Sequence, residues 1–186
     1  RVLFRSGFDT ATPLTKKYPQ VIVARTMSKI HGMAGMRVGY AIAQPKTLAE
    51  IREYHSGSGL SSMSLAAATA SLKDTDNMEK NRTLNRAVRK FTTDAFTKAG
   101  FTVAASDANF IFVNIKRDSR GFQEACRQKG VQVGRAFPPM TTWARISIGT
   151  QEEMEKAVPV FMAALAAPPN QTASFEHLDS LPSELT

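Results

Sequence analysis

Residues 25–43, RTMSKIHGMAGMRVGYAIA, constrain this chain more than any other stretch. They place one lysine, Lys29, between an apolar run that ends at Ala24 and a loop spaced by Gly32 and Gly35. The apolar run predicts a buried strand over 21–25, so Lys29 would stand at its exit. Burial and neighbouring cations disfavour the charged form of an amine, and a neutral lysine can act as a nucleophile near neutral pH.

Groups suited to a phosphate flank that lysine. Thr26 and Ser28 offer hydroxyls just before it, and Arg37 offers a guanidinium shortly after it. Such donors form strong hydrogen bonds with phosphate oxygens. A nucleophilic lysine together with phosphate donors indicates pyridoxal phosphate as the cofactor. The competing interpretation, a surface lysine beside a helix start, leaves the spacing of these groups to chance.

The order of these residues resembles the lysine motif of the fold type I pyridoxal-phosphate aminotransferases, most closely the histidinol-phosphate aminotransferase branch of classes I and II. The family pattern is Ser/Thr-x-Ser-Lys, a short glycine-bearing loop, then Gly-x-Arg-x-Gly-Tyr/Phe, with the arginine eight residues after the lysine. Lys29 and Arg37 keep this spacing, and the remaining positions are filled by Gly35, Gly39 and Tyr40. The resemblance implies that Lys29 is catalytic and forms the Schiff base, and that the cofactor phosphate is held by Thr26, Ser28 and Arg37.

A second stretch, residues 143–150 (WARISIGT), is similar to the family's C-terminal Leu-Arg-Ile-Ser/Thr-x-Gly-Thr. The resemblance implies that Arg145 binds the α-carboxylate of the substrate, for which a guanidinium offers two parallel donors. Asn109, in Ala-Asn-Phe-Ile, matches a family segment near the substrate. Without the resemblance, Arg145 would be an edge residue or an ion-pair partner, and Asn109 an ordinary strand start.

The chain departs from the histidinol-phosphate branch at one position. Those enzymes carry an arginine for the substrate phosphate just after a Gly-Ile/Val-x-Val strand, whereas this chain reads Gly-Val-Gln-Val-Gly-Arg over 130–135, one residue out of step. Both assignments of Arg135, as a phosphate ligand or as an unrelated residue, therefore stay open. The resemblance leaves the amino donor open as well.

Periodicity and turn residues predict alternating helices and strands, which is typical of an α/β fold. We expect a loop over 10–20 and strands at 21–25, 38–43, 101–105, 109–115, 131–133 and 143–148, the first two of them buried. Helices are expected at 46–54, 64–72, 77–98 and 119–129. A capping box from Thr150 to Glu153 opens a last helix, which should kink or begin late because of Pro159.

The resemblance also divides the chain. Family members are much longer and carry their lysine past the midpoint, so this sequence is expected to hold the end of a fold type I large domain and the whole small α/β domain. Residues 1–78 would belong to the cofactor-binding domain, of which 1–6 are expected to be foreign, and 79–168 to the small domain. Residues 169–186 are polar and unpatterned, and we expect them to be disordered. The residues that the family places around the lysine from the other half, among them an aspartate for the pyridine nitrogen, would be missing, so this chain alone is expected to be inactive.

Charge and composition bear on the partners and the location of this protein. The formal charge of +8 is spread along the chain, and the densest basic group, on the predicted helix 77–98, is interpreted as a solvated face: Lys80, Arg82, Arg86, Arg89, Lys90, Lys98. We therefore expect no nucleic-acid partner. No apolar run is long enough to span a membrane, and no signal peptide is visible, which favours the cytoplasm. The single Cys126 is expected in the core, and the histidines show no metal-ligand spacing, so no metal is expected.

The motifs and the resemblance together predict a pyridoxal-phosphate-dependent aminotransferase, and the resemblance implies that it acts as a homodimer. Its substrates would be an amino acid, or an amine such as histidinol phosphate, and a 2-oxo acid. Two alternatives stay open. One is another fold type I enzyme, a lyase or an acyl-transferring synthase, because such enzymes share the lysine motif. The other is a basic binding module without catalysis.

Overall fold

The computed structural model describes residues 9–54 and 59–166. The expectations for residues 1–6 and for the tail 169–186 lie outside these ranges. Within them the chain alternates helices and short strands, as predicted, and builds two units around two separate apolar clusters. No helix of these two ranges is long and apolar enough to cross a membrane.

The first unit carries the lysine stretch. Its elements are α1 (Thr12–Lys17), β1 (Val23–Thr26), a 3-10 helix (Ala34–Met36), β2 (Gly39–Ile42), α2 (Pro45–Glu53) and α3 (Ser62–Lys73). Strands β1 and β2 pair antiparallel, with Val23 opposite Ile42 and Thr26 opposite Gly39. A small cluster beneath them consists of Met27, Met33, Val38 and Ala68.

The second unit is a three-stranded sheet with helices against its apolar face. It comprises α4 (Thr75–Lys98), β3 (Thr102–Val103), β4 (Phe110–Asn114), α5 (Ser119–Arg127), β5 (Trp143–Ser147) and α6 (Gln151–Ala166). The strand order is β3-β4-β5, and both pairings are antiparallel. Alternate residues of β4 and β5 enter the core, where the helices supply large side chains: Phe96, Phe122, Phe161. The rings of Phe96 and Phe122 lie 5.8 and 6.0 Å from that of Phe161.

Helix α4 is bounded by signals that are visible in the sequence. The Asp74 carboxylate accepts a hydrogen bond from the Asn77 amide at 3.0 Å and caps the first turn. At the other end Gly100 adopts φ 81°, and the Phe101 amide donates to the Phe96 carbonyl at 3.0 Å. This left-handed stop is open to glycine without a steric cost. The helix therefore ends where it was predicted and begins two residues earlier.

Two predicted segments are wrong. Residues 10–20 were expected to be a loop but contain α1, because Pro13 sits in the first turn, where a helix needs no amide donor, and Thr15 packs inward. Residues 131–133 were expected to be a strand but form none. The Val131 amide instead donates to the Cys126 carbonyl and closes the end of α5, and the next bond towards β5 is made by Gly134.

The last helix also differs from the expectation of a late start. The capping box forms as predicted, with the Thr150 amide 2.7 Å from Glu153 Oε2, and the Glu153 amide donates to Thr150 Oγ1 at 3.2 Å. Helix α6 begins at Gln151 and continues through Pro159 to Ala166. Pro159 and Glu155, four residues earlier, are both exposed, so water can satisfy the carbonyl that the proline leaves unpaired.

The strand predicted over 38–43 is present but is not buried. Gly39, Tyr40 and Ala41 are exposed, and 45% of the Tyr40 surface is accessible. Strand β1 alternates between buried Val23 and exposed Ala24. In the part of the chain that the structure describes, the β1–β2 sheet has two strands, and the exposed residues of β2 show that neighbouring elements do not cover it completely.

Candidate active site

The loop after β1 is fixed by buried side chains that precede and follow Lys29 in the sequence. Met27, Ile30 and Met33 are buried, and the Met33 amide donates to the Met27 carbonyl at 3.0 Å. The Gly32 amide donates to the Lys29 carbonyl at 2.9 Å, and Gly32 takes φ 66°. Because the apolar residues point inward, the Lys29 side chain is directed outward and is exposed. The burial expected for this lysine is not found in the described residues.

The proposed phosphate donors lie at one end of the β1–β2 sheet. Thr26 pairs with Gly39, and the Met27 amide donates to the Val38 carbonyl at 3.0 Å, which brings Ser28 and Arg37 to the same end. Thr26 Oγ1 accepts the Ser28 amide at 3.1 Å, so the Thr26 hydroxyl proton remains available. Arg37 adopts φ 53° and donates through Nη1 to the Ala34 carbonyl at 2.9 Å.

Gly39 is required for this pairing. A Cβ atom there would lie 2.8 Å from the Arg25 carbonyl oxygen, which belongs to the backbone and cannot move aside cheaply. The glycine of the motif thus allows β1 and β2 to approach closely, and so controls where Arg37 stands relative to Thr26.

Helices α3 and α4 hold the lysine loop from the other side. Ser64 Oγ donates to the Met36 carbonyl at 2.9 Å, and His31 Nδ1 lies 2.8 Å from Ser71 Oγ. Asn81 Nδ2 donates to the Ile30 carbonyl at 3.2 Å. Burial, and to a lesser degree the nearby Arg82 charge, lower the pKa of His31. Nothing in the sequence pattern indicated these supporting residues, because their partners are 28–51 positions away in the chain.

Arg145 lies in the second unit, on the sheet face opposite the helices. Its neighbours Ala144 and Ile146 point into the core, while Arg145 is half-buried on the other side. Its Cζ atom stands 4.2 Å from the centroid of the Phe110 ring. In the described ranges no carboxylate pairs with Arg145. A planar guanidinium on an aromatic ring keeps its edge donors free, so this arginine can receive an anion.

Arg135 is adjacent to the same face. The Gly134 amide donates to the Arg145 carbonyl at 3.2 Å, and a Cβ atom on Gly134 would come within 2.9 Å of that oxygen. The exposed Arg135 guanidinium lies 4.7 Å from the Phe137 ring. That ring touches Phe112, which packs on Trp143. Two arginines therefore rest on one aromatic sheet face.

Asn109 precedes β4 directly and is half-buried; its carbonyl accepts the Ile148 amide at 2.9 Å. The segment before it is bound by Arg89 of α4. Arg89 Nη1 donates to Asn85 Oδ1 at 2.8 Å and to the Ala108 carbonyl at 2.9 Å. Arg89 Nη2 lies 3.6 Å from the Asp107 carboxylate. Arg89 is 8% exposed, so the interpretation of the whole basic stretch of α4 as a solvated face is wrong at this residue.

The cysteine and the possible metal ligands of the described residues do not form a second reactive site. Cys126 is buried in the core, as expected, and burial raises the pKa of its thiol to about 11. Within the described ranges no group of three or more histidines, cysteines and carboxylates is placed to hold a metal ion.

The sequence matches the family model described as aminotransferase class I and II over residues 3–161. It is 32% identical over 159 residues to the histidinol-phosphate aminotransferase of Symbiobacterium thermophilum. The aligned residues cover 85% of this chain and 44% of that protein. The chain thus spans less than half the length of this curated relative.

Solved structures show the same fold. A candidate histidinol-phosphate aminotransferase from Erwinia carotovora atroseptica superposes with a TM-score of 0.83 at 32% identity, over 87% of this chain and 47% of that one. Histidinol-phosphate aminotransferase from Sinorhizobium meliloti, solved in complex with pyridoxal-5'-phosphate, superposes with a TM-score of 0.71 at 26% identity. The superposition covers 79% of this chain and 41% of that one. A decarboxylase from Sulfurospirillum multivorans gives 0.76 at 21% identity, over 88% and 50%, so the fold alone does not decide the reaction.

Proposed function

The chain belongs to the class I and II aminotransferase family, and from this premise we propose that it supplies the cofactor lysine and the substrate-carboxylate arginine of a pyridoxal-phosphate-dependent aminotransferase. Its substrates would be an amino acid, or an amine such as histidinol phosphate, and a 2-oxo acid. The observation that carries the proposal is the outward Lys29 held at one end of a strand pair together with Thr26, Ser28 and Arg37.

The donor set fits pyridoxal phosphate. Two hydroxyls and one guanidinium suit a phosphate dianion, and the lysine beside them can reach a carbonyl on the same ligand. When bound, this cofactor supplies that carbonyl and an electron sink for a carbanion. Lys29 would be displaced by the amine of the incoming substrate, and its freed amine would then take the Cα proton as a base and return it to a second carbon as an acid.

Arg145 would orient the substrate through its carboxylate. Its stacking on Phe110 sets the plane of the guanidinium, and two parallel donors fix the direction in which the Cα–H bond points. This role disfavours decarboxylation, in which the carboxylate has to leave. Arg135, on the same face, is our candidate for a second anionic group of the substrate, such as a phosphate.

We propose the domain division 1–78 and 79–168, although the boundary falls inside α4. The separate apolar clusters on either side of this point support it. We further propose that activity requires the part of the relatives that this chain does not span, in a cytoplasmic homodimer. Lys29 is exposed, whereas a lysine that acts as a base works in its neutral form, which burial favours. Several large apolar side chains of the first unit are exposed as well: Leu14, Tyr18, Ile22, Tyr40, Leu65, Leu72.

Borohydride trapping tests the lysine. A protein of the relatives' full length that contains this chain is mixed with pyridoxal phosphate, reduced and mapped by peptide mass spectrometry. We expect stoichiometric label on Lys29 and loss of transamination in Lys29→Ala. Lys46→Ala, which removes another exposed lysine, in α2, is the matched control and should retain the label on Lys29 and the transamination activity. Principal label on another lysine would contradict the assignment. A binding module would instead show no visible absorbance change with the cofactor and would bind nucleic acid in a salt-dependent way.

A further inference from the structure

A stripe of three polar residues runs along α4 on the side that faces the rest of the protein. Asn81, Asn85 and Arg89 are spaced four residues apart, so they lie on neighbouring turns of one side of the helix. Arg89 is buried, and both asparagines are partly buried. Burying a guanidinium is costly unless its donors are satisfied, so its partners need a structural explanation.

Those partners connect α4 to the Arg145 face. Arg89 Nη1 binds the Ala108 carbonyl at 2.9 Å, and two residues later Phe110 carries the ring on which the Arg145 guanidinium lies. The same loop is braced internally, because Ser106 Oγ donates to the Phe110 carbonyl at 2.7 Å and accepts the Ala108 amide at 3.1 Å. Arg89 thus attaches a loop that is already compact to the helix.

The other end of the stripe reaches the lysine loop. Asn85 Oδ1 accepts Arg89 Nη1 at 2.8 Å, and one turn earlier Asn81 Nδ2 donates to the Ile30 carbonyl, which follows Lys29 directly. One helix therefore holds the backbone on which each of the two assigned side chains depends.

We propose that Arg89 is a positioning residue for the carboxylate-binding Arg145: by fixing the loop 106–109 to α4, it holds the Phe110 ring beneath the Arg145 guanidinium. Arg89 acts through Phe110 and contacts no substrate itself. A lysine cannot replace it fully, because its ammonium has a single nitrogen, whereas Arg89 binds Asn85 and Ala108 through Nη1 and holds Nη2 3.6 Å from the Asp107 carboxylate. This inference rests on the proposed role of Arg145.

The first test measures the position of Arg145 without any activity. In the 186-residue chain, the Arg145 side-chain protons should carry an upfield ring-current shift in NMR spectra, because they lie over the Phe110 ring. We expect Arg89→Met to reduce that shift, as Phe110→Leu does, and Arg89→Lys to reduce it partly. Lys90→Met is the matched control, since Lys90 is the next residue on α4, is exposed and bonds Asp94. An unchanged shift in both Arg89 variants would overturn the proposal, and if Arg89→Met fails to fold, Arg89→Lys is read alone by the same criterion.

The second test uses kinetics in a protein of the relatives' full length. Arg89→Met should raise KM for an amino acid by about tenfold, the cost of roughly one charge-assisted bond, and leave KM for a simple amine within about twofold. Equal losses for both substrates would overturn a positioning role. Arg145→Lys separates the two proposals. If it raises KM for the amino acid and for the amine by the same factor, the carboxylate role of Arg145 fails. The NMR result still reports whether Arg89 positions Arg145.

Discussion

The two units of this chain differ in how completely they bury their own apolar surface. The second unit encloses aromatic and aliphatic side chains from every one of its helices and from two of its strands, and Phe96 has no accessible surface. In its described residues the first unit has a buried apolar cluster of four residues beneath a two-stranded sheet, and it leaves large apolar side chains at its surface. Both units come from one chain with ordinary composition, so the difference lies in the partners available to each face.

That difference bears on the two candidate site residues. Arg145 stands on β5, whose other face packs into the core through Ala144 and Ile146, and its guanidinium lies over an aromatic ring. Lys29 stands on a loop fixed by a few buried side chains and by single hydrogen bonds from α3 and α4. Segments with few buried contacts open with a smaller free energy than well-packed cores. We therefore expect the lysine site to be the less stable half of the pair in this chain.

The largest effect should come from emptying the second core. Phe96→Ala removes a ring that packs on Phe101 and Phe161, and it should lower the free energy of unfolding by about 3–5 kcal/mol. Leu84→Ala on the same helix is the control; its side chain is 53% exposed, and the change should cost less than about 0.5 kcal/mol. Urea denaturation of both variants measures the difference. Similar losses would mean that the second unit is not the stable half.

A smaller effect is expected in the first unit. Gly39→Ala would place a methyl group 2.8 Å from the Arg25 carbonyl, so β1 and β2 must separate at a cost of about 1–3 kcal/mol. Gly35→Ala has no atom within 4 Å of the added carbon and should be neutral. Hydrogen exchange of the β1–β2 amides should quicken in Gly39→Ala while the β4–β5 amides stay protected. Faster exchange throughout the chain would show that the two units open together.

The smallest effect concerns pH. Because the folded protein lowers the pKa of His31, protonation favours the open state, and stability that is present above pH about 6.5 is lost as the pH falls below that value. The protection factors of the Gly32 and Met33 amides, which correct for the slower intrinsic exchange at lower pH, should therefore fall between pH 7 and 5.5, whereas those of the β4–β5 amides should not. His31→Gln should remove this pH dependence. If the substituted chain keeps the same pH profile, another group is responsible.

Sequence patterns predicted the features that short segments encode. The helix stop at Gly100 and the capping box at Thr150 are signals between residues a few positions apart, and both formed as expected. Fold class and family followed from the Lys29 to Arg37 spacing and were confirmed by the family match. The roles of Thr26, Ser28, Lys29, Arg37, Asn109 and Arg145 stay predictions.

Errors arose where distant residues decide the outcome. Pro13 is typical of a loop, but in a first helical turn a proline removes no helical hydrogen bond. Val131 fits a strand pattern, but its amide closes the end of α5. The polar spacing of Asn81, Asn85 and Arg89 could have indicated a partly buried stripe, but the acceptors that make such burial possible are not adjacent in sequence.

The sequence by itself determined which residues are chemically capable: a lysine among hydroxyls and an arginine, and a second arginine in a strand. The tertiary structure decided which of them are held in place. Arg89 is buried only because the Ala108 carbonyl arrives from 19 positions further along the chain, and Arg145 is oriented only because strand pairing brings Phe110 beside it. Local hydrogen bonds and periodicity are written in neighbouring residues, whereas satisfying a buried charge requires acceptors that only folding brings together.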